Sequence, residues 1–206
     1  MNRASFAAAL LSVGASASWV LGKCPEIKIK TDLDLARYSG TWYETRKDFL
    51  NVFEIGASCT TANYSLNDDG SVTVYNRAYT PFAFGYYDVL GKGVESEVTG
   101  PGSLVVSFHS EPDSSRPGNY NVLDTDYDTY ALFFSCSEKT NFGIEYANFS
   151  FSILSRERTL SDDLRAELAE KTKAILPSYD YDSNVVDTKQ EGDCEYSPEP
   201  STQFLQ

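Results

Sequence analysis

Eight stretches of this chain alternate apolar and polar residues at period two: 41–46, 60–66, 71–79, 86–94, 104–110, 120–125, 129–136 and 147–156. Such alternation marks a strand with one buried face and one wet face. Between them stand Asn67-Asp68-Asp69-Gly70, Gly100-Pro101-Gly102, the run from Pro112 to Gly118 and the run from Asp126 to Asp128. These residues tolerate positive φ or bond their own backbone, so they suit tight connections. Short connections pair neighbouring strands antiparallel. A meander of this kind exposes two edges, and closing it into a cylinder removes both.

One segment breaks the pattern. Ser161 can cap a helix whose first turn holds Asp162 and Asp163, where negative charge suits the helix dipole. Leu164, Leu168, Lys171/Thr172 and Ile175 then recur at helical spacing, and Pro177 stops the helix. Its apolar stripe needs a surface to cover. The expected fold class is therefore all-β: an eight-stranded antiparallel up-and-down β-barrel with one C-terminal α-helix packed outside.

The stretch from Met1 to about Ala17 carries Arg3, the apolar run Phe6 to Val13, and Ala15-Ser16-Ala17. That is the pattern of a secretory signal with its cleavage site. The expected organisation is a signal over 1–17 and a single domain over 18–206, whose tail from about 179 is irregular and acidic. No later apolar run is long enough to span a bilayer, so the expected product is secreted and extracellular. The four cysteines, an even number, suit two disulfides in an oxidising compartment, with three pairings open. Their wide spacing, the lack of a C-x-x-C pair and a single His109 argue against a metal, and no cofactor is expected. A formal charge of −13 disfavours phosphate backbones, so nucleic acid is excluded as a partner class.

Gly40-Thr41-Trp42 opens the first alternating stretch, Thr125-Asp126-Tyr127 stands at the turn after the sixth, and Arg156 follows the eighth. In that order, and with four cysteines at matching places, they resemble the signatures of the lipocalin family across nearly the whole mature length. The resemblance makes Gly40, Trp42, Thr125, Asp126, Tyr127 and Arg156 structural residues. Trp42 would plug the closed end of the barrel with the Arg156 guanidinium stacked on it, a contact worth roughly 0.5 to 2 kcal/mol. It also implies the disulfides Cys24–Cys136 and Cys59–Cys194.

Asn63-Tyr64-Ser65 and Asn148-Phe149-Ser150 are N-glycosylation sequons. The resemblance favours a sugar on Asn63, and an outward Asn63 turns Thr60, Ala62, Tyr64 and Leu66 inward. Counting back from Arg156 puts Asn148, Ser150, Ser152 and Leu154 inside and Phe149, Phe151 and Ile153 under the helix. A sugar at Asn148 then requires the opposite phase or a bulge.

Alternation and the resemblance together assign the inner wall to Tyr43, Thr45, Tyr64, Val74, Asn76, Leu104, Val106, Phe108, Tyr120 and Val122. This lining is apolar with a few hydroxyl and amide groups, which suits a mostly hydrocarbon guest with one polar end. Two greasy connections, with Phe49 and Phe53 in one and Phe82 and Phe84 in the other, would sit at the mouth. They would serve as a lid or as a contact with lipid particles or membrane surfaces. The expected function is a secreted carrier of a small hydrophobic molecule such as a fatty acid, sterol, retinoid, carotenoid or bilin. One alternative is a subunit of a pigment-binding assembly, an oligomer whose barrel rim is a protein interface. The other is a lipocalin-type enzyme using a pocket cysteine, against which all four cysteines match bridge positions.

Overall fold

The computed structural model describes residues 19–49, 56–81 and 85–197. The eight expected strands are all present: β2 (Gly40–Asp48), β3 (Ser58–Leu66), β4 (Val72–Thr80), β5 (Gly85–Ser96), β6 (Gly100–Ser107), β7 (Tyr120–Thr125), β8 (Tyr130–Asn141) and β9 (Ile144–Ser155). Each pairs antiparallel with the next, and β9 returns to pair with β2, so the sheet closes on itself. Two three-residue strands extend it: β1 (Trp19–Leu21) lies along β9, and β10 (Val185–Asp187) lies along β2. Short helices α1 (Leu35–Tyr38) and α3 (Tyr181–Asn184) flank the main helix α2 (Asp162–Ile175).

Alternation along the strands divides the apolar residues into two cores. Trp42, Tyr64, Val74, Leu104, Val122, Ala131 and Leu154 fill the lower barrel. Leu132, Phe134, Phe151 and Ile153 point the other way and meet Leu168, Leu176 and Tyr179 from the helical side. The inward phase expected for Leu154, and the outward phase for Phe151 and Ile153, is the one observed. Ser161 caps α2 by accepting from the Leu164 amide at 3.3 Å, and Leu168 and Thr172 are the buried points of its stripe.

Three boundaries differ from the sequence expectation. Gly100-Pro101-Gly102 belongs to β6 rather than to a turn. Gly102 has φ +85°, and a Cβ there would lie 2.2 Å from the Lys30 carbonyl oxygen, so the N-terminal segment crosses the strand where only glycine leaves room. The β8–β9 hairpin is longer than expected, pairing without a bulge to Asn141 opposite Ile144. The tail is also less irregular than expected. Beyond Tyr43, β2 leaves β3, and the gap is filled by 185–190: Thr188 N–H donates to Thr45 O, Cys59 N–H donates to Lys189 O, and Gln190 Nε2 reaches both Glu44 O and Thr60 O. The tail thereby forms part of the barrel wall. Cys59 bonds to Cys194 and Cys24 to Cys136, the partners the family resemblance implied.

Candidate ligand site

One end of the barrel is sealed by the signature residues. Trp42 is fully buried and donates from Nε1 to Tyr38 O at 2.8 Å. The Arg156 guanidinium lies 3.6 Å from its ring centroid and donates to the carbonyls of Thr41, Ser39, Arg37 and Tyr127. Gly40 has φ +98°, and a Cβ there would meet Arg156 Nη1 at 3.3 Å, which explains the glycine. Thr125 and Asp126 organise the turn: Thr125 Oγ1 accepts from the Tyr127 amide, and the Asp126 carboxylate accepts from the amides of Asp128, Thr129 and Tyr130. Burial opposes ionisation of Asp126, but those bonds and the one from the Thr129 hydroxyl outweigh it and hold its pKa below the usual carboxylate value. The Tyr127 hydroxyl ties the turn to the crossing segment at Asp32 O and the Asp34 amide.

Above this plug lies a layer of three tyrosines. The Tyr120 hydroxyl is 2.8 Å from that of Tyr38 and 2.9 Å from that of Tyr64, and the Tyr38 and Tyr64 rings stack at 5.6 Å. Burial lifts the pKa of Tyr38 and Tyr120 well above the usual phenol value, so both stay neutral hydrogen-bonding groups at physiological pH. The tyrosines, Leu35, Val72, Val74, Gly93, Leu104 and Val106 enclose a cavity of about 10 Å³. That is room for about one water, not for a hydrocarbon guest. The tyrosine layer is therefore a floor.

The register gives the inner face above that floor. Asn76 pairs with Ala62 and Val89, Phe133 with Ser152, and Ser135 with Ser150, each in phase with residues of the interior core. Phe133 stacks on Tyr120 at 4.3 Å. Asn76 Oδ1, Thr60 Oγ1 and Ser150 Oγ are buried without a hydrogen-bond partner. Phe108 lies beyond the end of β6, its ring against Gly91, where a Cβ would approach it to 2.6 Å.

Of the expected lining, Tyr64, Val74, Leu104, Val106 and Tyr120 surround the small cavity, Asn76 and Phe108 lie on the inner side higher up, and Val122 is inward but fully enclosed in the core. Tyr43 and Thr45 do not line the interior. Trp42 commits its phase of β2 inward, so Tyr43 faces out, edge-on to Tyr196 at 5.1 Å. Thr45 is the extra residue of a β-bulge between Glu44 and Arg46, its hydroxyl bonded to Ile153 O. The inward places go to Glu44 and Lys47, which form a buried ion pair at 3.4 Å. Ser152 and Thr188 hydroxyls donate to the Glu44 carboxylate, and Lys47 donates to Ala57 O. Counting from Trp42 would have found Glu44; nothing in the sequence announces the bulge that brings in Lys47.

The opposite end carries the connections after β2 and after β4, and a Cβ on Gly56 of one would come 3.3 Å from Pro81 of the other. Phe49 is 61% exposed there; Phe53, Phe82 and Phe84 lie outside the described residues. Asn63 faces outward, half-buried, donating to Thr41 Oγ1, and Asn148 is exposed. All four cysteines are disulfide-bonded and His109 is exposed in the loop after β6, so neither offers an enclosed nucleophile or base.

These features have counterparts in known proteins. A profile described as a lipocalin-like domain matches residues 33–185. Apolipoprotein D of Rattus norvegicus is 34% identical over 187 residues, covering 91% of this chain and 92% of that one. The outer membrane lipoprotein Blc of Escherichia coli (strain K12) is 30% identical over 164 residues, 77% of this chain and 85% of that one. Among solved structures, insecticyanin from the tobacco hornworm Manduca sexta superposes with a TM-score of 0.70 at 25% identity, over 87% of this chain and 93% of that one. Apocrustacyanin C1 gives 0.63 at 22% identity over 85% and 93%, a likeness of fold alone. With the three signatures in place at the sealed end of a closed eight-stranded barrel, the chain belongs to the lipocalin family.

Proposed function

We propose that this chain is a secreted carrier that holds one small hydrophobic molecule in the barrel above the tyrosine floor. The observation that carries the reading is the asymmetry of the barrel: one end is plugged by Trp42, Arg156 and the tyrosine layer, and past that layer the strand register turns Asn76, Val89, Phe133 and Ser135 inward. A fatty acid, sterol, retinoid, carotenoid or bilin meets the requirement, because each buried methylene contributes about 0.8 kcal/mol without a specific contact. The unpartnered Asn76, Thr60 and Ser150 oxygens suit the guest's polar end. Two disulfides and the leader-like first seventeen residues support an oxidising, secretory route. No step of this reading is enzymatic.

Loading from lipid surfaces follows from the exposed apolar groups at the open end, where Phe142 at the β8–β9 tip is 97% exposed beside Ile144, and Leu21 of β1 is 72% exposed. Titration with a fluorescent lipophile tests the carrier reading. It should saturate at one probe per chain, and Val89→Trp, which fills the lumen opposite Asn76, should abolish uptake without lowering the melting temperature greatly. Equal uptake by both proteins would place binding outside the barrel.

A further inference from the structure

The second sequon poses a conflict that the structure resolves. Asn148 has the inward phase of β9, shared with Ser150, Ser152 and Leu154, and no bulge intervenes from Ile144 to Ser155. An inward asparagine within a barrel cannot carry an oligosaccharide. Asn148 is nevertheless exposed, whereas Ser152 and Leu154 are buried.

The reason is that β8 and β9 outrun the barrel. The pairing of β2 with β9 stops at Lys47 opposite Ser152, and the pairing of β7 with β8 stops at Asn121 opposite Phe134. Past those points, among the described residues, the hairpin's one strand neighbour is β1, with Trp19 opposite Asn148. Residues 137–145 are exposed on both faces. Ala147 on the other face is fully buried, so at this level the hairpin's outer side is covered and its lumenal side is open.

We propose that Asn148 carries an N-linked glycan rooted on the lumenal side of this hairpin, and that the glycan overhangs the barrel opening and slows the passage of the guest. In its attachment, the Asn148 amide nitrogen bonds to the anomeric carbon of a lipid-linked oligosaccharide; the lipid diphosphate leaves and the amide loses one proton. Asn63 provides the internal contrast, since its outward side chain on β3 would hold a sugar against the outer wall, away from the opening. The gate rests on the carrier reading; the glycan itself does not.

The test uses the full chain secreted from a eukaryotic host, as wild type, Asn148→Gln and Asn63→Gln, with wild-type protein trimmed by an endoglycosidase to the first sugar as a further sample. Peptide mass spectrometry should find the Asn148 peptide glycosylated. Stopped-flow mixing with N-phenylnaphthylamine should show Asn148→Gln and the trimmed protein taking up and releasing the probe several-fold faster than wild type, with unchanged affinity, while Asn63→Gln matches wild type. An unmodified Asn148 in protein glycosylated at Asn63 would overturn the site, and equal rates with an occupied Asn148 would overturn the gate. If no form takes up the probe, the gate falls together with the carrier reading, while the peptide mass still decides the site.

Discussion

The guanidinium carbon of Arg156 lies 3.6 Å from the centroid of the Trp42 ring, joining the last barrel strand to the first. The same group donates to five main-chain carbonyls, those of Arg37, Tyr38, Ser39, Thr41 and Tyr127. Arg156→Ala should therefore cost about 3 kcal/mol or more, combining the lost cation–π contact with orphaned acceptors. Arg156→Lys keeps the charge but not the planar fork, and should fall between the two. The check is the urea midpoint at unchanged m-value; a shift in Arg156→Ala below about 1 kcal/mol would remove the plug from its structural role.

The tail depends on a covalent tie and a side-chain bridge. Replacing both Cys59 and Cys194 by serine should lower stability by about 2 to 5 kcal/mol. Hydrogen exchange should rise at the Cys59 position and at Thr188, whose amides donate to Lys189 O and Thr45 O. Protection that survives the double substitution would show that the β10–β2 pairing and the Gln190 bridge hold the tail without the disulfide.

Tyr120 is the shared partner of two other buried hydroxyls. Tyr120→Phe should cost about 1 to 3 kcal/mol, because it takes the partner of the buried Tyr38 hydroxyl and breaks the bond to Tyr64 as well. Tyr38→Phe should cost less, since Tyr120 would keep its bond to Tyr64. Chemical denaturation of the two variants gives the order directly.

Stability should fall on the alkaline side. The Tyr130 pKa is pushed up to about 12, mainly by burial, with the Lys171 bond opposing and Asp124 reinforcing the shift. Between the usual phenol pKa near 10 and that value, the unfolded chain releases the proton that the folded chain retains, so unfolding is favoured as pH rises. The Lys171 pKa is raised by its bonds to Asp124 and Tyr130, and has the same sign: its contribution is present below the usual lysine value and is lost above it. Tyr130→Phe should make the decline between about pH 10 and 12 shallower. Buried Tyr38, Tyr120 and Tyr179, whose values are also raised, should keep part of the slope.

The strands and helix were legible because each has a single buried face. Leu154 against Ile153, or Leu168 and Thr172 along α2, carries its destination in the alternation itself. What escaped has physical causes. Ser137 to Thr140 lack alternation because both faces of the hairpin are wet, so the strand leaves no pattern. The tail shows no strand signal because β10 is three residues long and held by β2, Gln190 and a disulfide. The bulge at Thr45 shifts phase by one residue, turning Lys47 inward where counting from Trp42 places Arg46. The exposed Asn148 required knowing where the barrel stops.

The central claim is that the closed cylinder holds one oily guest above its tyrosine floor. Native mass spectrometry of protein purified without organic solvent tests it most directly. The account predicts the chain mass plus one small apolar molecule, released by organic extraction and replaced on adding a lipophile. A bare mass before and after that addition would contradict it.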